Sequence, residues 1–165
     1  TVRTMSEQSL GEVRIEPFSA ALREHFYRLN AAWLERDFSI EPIDQRVLSD
    51  PQREIIDHGG AVLFALLGPR VVGTCALKRH AAGDFELTKM AVDETDRGLG
   101  IGRKLLVAAI AEYEARKGTQ LWLESSTKLP PALRLYESMG FVHQAGRRPG
   151  SEYVRSDVYM IYQRS

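Results

Sequence analysis

The sequence predicts one α/β domain, a mixed central β-sheet with flanking helices, and three observations carry that reading. Residues 85–125 read as strand, glycine-rich turn, amphipathic helix and strand, which brings the second strand back parallel to the first. Residues 61–78 read as an apolar strand turned back by Gly68-Pro69-Arg70, an antiparallel hairpin. The 165 residues show no repeat, low-complexity tract or linker, and that length buries a core without staples.

The elements follow in order. Residues 1–11 are polar and expected to be flexible, and residues 12–165 form the domain. Residues 12–16 alternate and stop at Pro17, a short strand. Ser19 is placed to cap a helix reaching about Arg36, with Leu22, Phe26, Leu29, Ala32 and Trp33 on one face. Residues 37–51, with Pro42 and Pro51, read as a loop holding at most one helical turn. Ile55 and Ile56 belong to a short helix ended by Gly59-Gly60. Residues 61–67 are continuously apolar, a buried strand, and residues 85–92 alternate as a strand with one buried face. Leu105, Leu106, Ala109, Ile110 and Tyr113 recur at helical spacing. Residues 120–125 make the next strand. Pro130 and Pro131 open a helix carrying Leu133, Leu135, Tyr136 and Met139, closed by Gly140. Strands at 141–143 and 156–162 finish the chain.

Composition removes several function classes. Formal net charge is zero, and no basic stripe or aromatic platform suits nucleic acid. The single cysteine, Cys75, excludes an intramolecular disulfide framework and fits a reducing cytoplasm. No signal-peptide pattern or membrane-spanning apolar run occurs, so no membrane partner is expected. His25, His58, His80 and His143 lack metal-ligand spacing and read as ordinary histidines, so no metal is expected. Cys75 lies in an apolar run and reads as packing.

The chemistry concentrates in the turn, Asp96-Arg97-Gly98-Leu99-Gly100-Ile101-Gly102-Arg103-Lys104. Glycines at a helix start let an anion approach unpaired N–H groups and the positive end of the dipole. Arg97 adds a forked cation. The turn is therefore either a phosphate cradle or a tight strand–helix junction. The spacing excludes two common cradles. No Gly-Lys pair supports a P-loop, and Arg103 stands where a dinucleotide fingerprint needs its third glycine.

The remaining pattern, Arg97-x-x-Gly100-x-Gly102, resembles the acetyl-CoA pyrophosphate signature of the GNAT acetyltransferases, and Leu135-Tyr136-Glu137-Ser138-Met139-Gly140-Phe141 resembles their Leu-Tyr-x-x-x-Gly-Phe ending. The resemblance covers residues 13–162. Glu124-Ser125-Ser126 with Leu129-Pro130-Pro131-Ala132 is similar to GNAT domains found alone or fused to MarR-type regulators.

The resemblance implies a single GNAT-type domain whose two parallel strands, 85–92 and 120–125, splay around the pantetheine arm. It implies that Met90, Ala91 and Val92 hold pantetheine and thioester, with the Val92 N–H polarising the acetyl carbonyl. Arg97, Gly98, Leu99, Gly100, Ile101, Gly102, Arg103 and Lys104 would hold the pyrophosphate. Tyr136 matches the family's general acid, or else is a core tyrosine with a satisfied hydroxyl. Glu86 is placed as the base, acting directly or through water, or else is a paired strand carboxylate. Glu124 is the competing candidate. Relatives carry asparagine where this chain has Leu129, and Ser125 or Ser126 substitutes for it. Trp33, Glu35, Tyr153 and Arg155 flank the acceptor cleft in this fold, with Arg155 either clamping a substrate carboxylate or lying at the surface.

The function implied is an acetyl-CoA-dependent N-acetyltransferase acting on a primary amine of a small molecule by direct attack in a ternary complex. The alternative is a CoA-binding sensor or regulatory module without turnover. A cytoplasmic monomer or homodimer is expected.

Overall fold

The computed structural model describes residues 13–163, and the expected flexible segment at 1–11 lies outside them. The strands are β1 (Val13–Pro17), β2 (Ala61–Leu67), β3 (Arg70–Ala81), β4 (Asp84–Val92), β5 (Gln120–Ser125), β6 (Phe141–His143) and β7 (Val158–Tyr162). The helices are α1 (Arg23–Asp37), α2 (Pro42–Ser49), α3 (Pro51–Glu54), α4 (Ile101–Ala115) and α5 (Pro130–Ser138). One sheet runs β1-β2-β3-β4-β5-β7-β6. Only the β4–β5 pair among its neighbours is parallel.

Strand β2 shows why the run 61–67 is apolar throughout. Ala61, Leu63 and Ala65 pack into the core under α4, while Val62, Phe64 and Leu66 pack into a second core with α1 and α2. A strand covered on both faces needs no polar alternation. Helix α4 contributes Ile101, Leu105, Leu106, Ala109, Ile110 and Tyr113 to the first core, and α1 contributes Phe26, Leu29 and Leu34 to the second. The result is helices on both sides of a mixed sheet.

Three local readings change. Ser19 makes no side-chain cap, and a 3₁₀ turn at Ala20–Leu22 precedes α1. Residues 37–51 hold the two-turn helix α2, because Pro42 stands at its first turn and the Asp44 carboxylate accepts from the Glu41 N–H at 3.0 Å. Pro51 likewise starts α3, where the Asp50 carboxylate accepts from the Arg53 N–H at 3.2 Å. Both prolines mark helix starts. The short helix expected around Ile55 and Ile56 ends at Glu54, followed by a 3₁₀ turn at Ile56–His58 that Gly59 closes.

Strand β4 departs further from expectation. It has no solvent face: Glu86 is 3 % exposed and Lys89 6 %. Cys75 falls between two paired positions of β3 that face Thr88 and Ala91, so Lys89 and Met90 together oppose it in a bulge, with Lys89 at φ 55°. The bulge shifts the alternation. Leu87 and Met90 pack against the same core although three residues apart, and Ala91 turns to the other one. Periodicity cannot foresee such an insertion.

Lys89 enters a cluster that ties three segments together. Its ammonium donates to Asp44 Oδ1 at 2.8 Å and to the Tyr153 hydroxyl at 3.1 Å. Arg155 grips the same carboxylate in a fork, Nη1 to Oδ2 at 2.6 Å and Nη2 to Oδ1 at 2.8 Å, and also reaches Glu41 at 3.1 Å. The Val154 N–H donates to Glu41 at 3.0 Å. Burial alone would raise the Asp44 carboxyl, but the bonds from Arg155 and Lys89 outweigh it and hold the group at about 2. Burial lowers the Lys89 ammonium, against the pull of Asp44.

Asp44→Asn leaves the buried Lys89 ammonium without its anion and takes one of two carboxylates from Arg155, and is expected to cost about 3–5 kcal/mol, read as a lower denaturation midpoint. Because the folded-state value is depressed below the ordinary 3.8, Asp44 contributes stability above that pH and loses it as pH falls toward about 2. Acid titration of the wild type should show that loss, and Asp44→Asn should abolish this component. An unchanged midpoint in the variant would show that the cluster does not hold the segments.

Candidate active site

The site follows from where two strands part. β4 and β5 pair only over Asp84–Glu86 and Gln120–Trp122. Beyond Glu86, the β5-facing edge of β4 has no strand partner up to Val92, so its backbone groups face a cleft. A cavity of about 170 Å³ opens there. It is lined by Glu86 through Val92 from β4, Glu124 and Ser125 from β5, and Ser126. Trp33, Asp37 and Phe38 line it from the end of α1, Tyr136 from α5, and Tyr153, Arg155 and Ser156 from the segment before β7.

The glycine turn closes one end of this cleft. Gly98 and Gly100 have φ of 83° and 77°, and a Cβ added at either would meet nothing within 4 Å. The backbone there lies open to a ligand. Gly100 caps α4 without a side-chain hydrogen bond, and no acidic residue occupies the first turn, so the leading N–H groups of this 15-residue helix remain available to an anion. Arg97 lines the cavity beside them. Gly102 has another reason to be small, since a Cβ there would stand 3.3 Å from both Leu135 and Met90. Arg103 is turned toward α5, bonding Ser138 at 3.0 Å. An extended chain with amides and a diphosphate therefore fits: unpaired strand edge for the amides, open helix start for the phosphates.

The polar groups divide by position. Tyr136 packs edge-on to Phe141, with its hydroxyl 4.0 Å from the Met90 sulfur. Burial pushes this phenol up to about 12, so it keeps its proton at neutral pH. Glu86 and Glu124 belong to the sheet face opposite α4. Glu86 is held by His80, Nε2 to Oε1 at 2.8 Å. Burial is the largest influence on Glu124 and raises its carboxyl; the Ser151 hydroxyl opposes that and the Glu86 charge adds to it. Burial also takes the Cys75 thiol up to about 12, which suits packing and not nucleophilic work.

Most expected site residues therefore meet at one cavity: Glu86, Met90, Ala91, Val92, Arg97, Glu124, Ser125, Tyr136, Trp33 and Arg155. Leu99 packs against the main core, in which Ile101 is buried, and Lys104 donates its N–H to the Gly100 carbonyl. Glu35 is exposed and outside the cavity lining. The Arg155 guanidinium is already engaged by Asp44 and Glu41. Sequence reading passed over Asp44, Lys89 and the His80–Glu86 contact. The Glu41-Pro42-x-Asp44 start of α2 carried a legible signal for the first; no local pattern marks the others. Among the described residues no cluster of His, Cys, Asp and Glu could hold a metal ion, and no helix is long and apolar enough to cross a membrane.

Comparison with known proteins agrees with this geometry. The chain is 42% identical over 73 residues to the [ribosomal protein bS18]-alanine N-acetyltransferase of Salmonella typhimurium, a stretch covering 44% of this chain and 49% of that protein. The match thus spans about half the length of that relative. A GNAT-family acetyltransferase structure from Staphylococcus aureus superposes with a TM-score of 0.81 at 22% identity, covering 91% of this chain and 98% of the other. The structure of yncA from Salmonella typhimurium, described with its cofactor acetyl-CoA, superposes with a TM-score of 0.72 at 19% identity over 92% and 94% of the two chains. The family model for the acetyltransferase (GNAT) domain matches residues 58–143, over half of the sequence and including the splayed strands, the glycine turn and Tyr136, and the chain belongs to the GNAT acetyltransferase family.

Proposed function

We propose that this protein is an acetyl-CoA-dependent N-acetyltransferase that acetylates the primary amine of a small molecule by direct attack in a ternary complex. The observation that carries the reading is the junction of an open helix start, an unpaired strand edge and a half-buried tyrosine around one cavity. Acetyl-CoA supplies the acetyl group as an activated thioester. The residues that would hold it are the backbone from Gly98 to Arg103 for the diphosphate, with the Arg97 side chain, and the β4 backbone from Met90 to Val92 for the pantetheine arm; the Lys104 N–H is already taken by Gly100. The Val92 N–H is the donor suited to an oxyanion.

This chain's side chains supply the proton chemistry. A carboxylate whose proton affinity is raised works closer to neutral pH, and burial raises that of Glu124. Glu124 is therefore favoured as the proton acceptor from the amine, and Glu86, fixed by His80, as the group that holds the ammonium. Tyr136 keeps its proton through neutral pH and serves as donor to the leaving group.

A small acceptor is supported by the size of the cavity, about 170 Å³, and by a wall tied in place from behind: Glu41 and Asp44 bond Val154 and Arg155 in the segment that lines it. The curated relative acts, by its name, on an alanine of a ribosomal protein, and the panel of amines should include N-terminal peptides for that reason.

Thiol release from acetyl-CoA is the test. Turnover is expected on small amines and not on peptides, and turnover confined to peptides would overturn the acceptor class. Tyr136→Phe should lower kcat about a hundredfold with little change in acetyl-CoA affinity. Activity should fall as pH drops through the raised Glu124 value, since only the ionised form accepts a proton, and Glu124→Gln should remove that limb together with most of the rate. A Glu124→Gln enzyme with normal rate and the same acid limb would contradict the assignment.

A further inference from the structure

Glu86 can hold the ammonium in the function proposed above only while its own carboxylate is fixed. A carboxylate 3 % exposed needs a partner, and His80 provides it at 2.8 Å. His80 is the extra residue in a second bulge: Arg79 faces Phe85 and Ala81 faces Asp84, leaving His80 between two paired positions. Bulges re-aim side chains, and this one sets an imidazole behind a cavity carboxylate. His80 itself does not line the cavity, whereas Glu86 does.

The imidazole is held in turn. Its ring lies 5.0 Å from that of Trp122, which is 2 % exposed, and Trp122 donates Nε1–H to Asp84 at 2.9 Å. The Arg148 guanidinium covers the Trp122 ring at 3.8 Å, and Tyr159 meets it edge-on. A side chain packed at a tilt against a locked indole has few rotamers left. With Nε2–H donated to Oε1, the Glu86 carboxylate is held at the cleft it lines, where Lys89 and Arg155 are already matched by Asp44 and Glu41.

We propose that His80 is a positioning residue for the acceptor: it fixes Glu86 so that its carboxylate receives the ammonium of the incoming amine. The proposal rests on the acceptor end of the cavity assigned above. Held carboxylates bind a cation without first paying for their own ordering, and a hydrogen bond to a charged group is worth about a tenfold change in affinity or more.

The test is calorimetric titration of 2-phenylethylamine, an ammonium with a ring suited to Trp33, Phe38 and Tyr153, into CoA-saturated protein. The wild type should bind. His80→Phe keeps a ring against Trp122 but donates nothing, and should weaken binding about tenfold. His80→Gln places an amide N–H near the position of Nε2 and should recover most of that loss. In a Glu86→Gln background, His80→Phe should change nothing further, which a merely structural role would not produce. CoA affinity should stay constant across the set, reporting an intact fold. No binding by the wild type, equal losses with and without Glu86, or no recovery by glutamine overturns the proposal. Thiol release on the same samples separates the two readings: binding that depends on the pair, with no turnover of acetyl-CoA on any amine, keeps the pair and removes the acetyltransferase.

Discussion

A strand that loses its neighbour must find other partners for its backbone, and that constraint organises this protein. Inside a sheet, β4 would satisfy its donors and acceptors on both edges. Here its pairing with β5 ends at Glu86 and Trp122, while β3 continues to hold the other edge to Val92. The chain stays extended because β3 and both cores hold it, not because β5 does. The unpaired edge is thus rigid and open together, a state suited to an amide-bearing ligand. The open start of α4 lies at the end of the same strand, so a linear ligand with amides at one end and phosphates at the other meets both.

The opposite wall depends on charge neutrality in a buried place. Lys89 and Arg155 bring two positive charges to the acceptor end, and Asp44 and Glu41 return two negative ones. The cluster is balanced, with every member hydrogen-bonded, which is the condition under which buried ions persist. It leaves Glu86 and Glu124 as the cavity carboxylates without a Lys or Arg hydrogen-bonded to them among the described contacts. Their environments differ: Glu86 is fixed by an imidazole, and Glu124 has its proton affinity raised by burial. Two carboxylates in unlike surroundings can divide holding a cation from taking its proton.

The sequence made the architecture legible wherever a short-range rule governed it. Strand–turn–helix–strand at 85–125, the hairpin at 68–70 and the paired prolines of α5 are local signals, and all three elements form. The glycine turn was legible because backbone access needs glycine at particular places, as the positive φ and open space at Gly100 show. What escaped was set by tertiary contact. The bulge at Lys89–Met90 breaks the alternation, and nothing in the local pattern marks Lys89 as buried against Asp44 and Tyr153. His80 looked ordinary because its partner lies across a strand pair and not along the chain. Asp44 was hidden by reading Pro42 as a loop residue when it begins a helix. The two candidate bases could be named but not ranked, because their partners, His80 for Glu86 and Ser151 for Glu124, meet them only in the folded chain.

The central claim is that the parted strands and the glycine turn form one cradle for acetyl-CoA. Calorimetric titration with acetyl-CoA, with ATP and NAD as controls, tests it most directly. Saturable binding of acetyl-CoA alone, lost in Gly100→Val where the backbone adopts φ 77°, is the predicted result. A folded protein that ignores acetyl-CoA, or that binds it equally well with valine at position 100, would contradict the account and leave the turn as a structural junction.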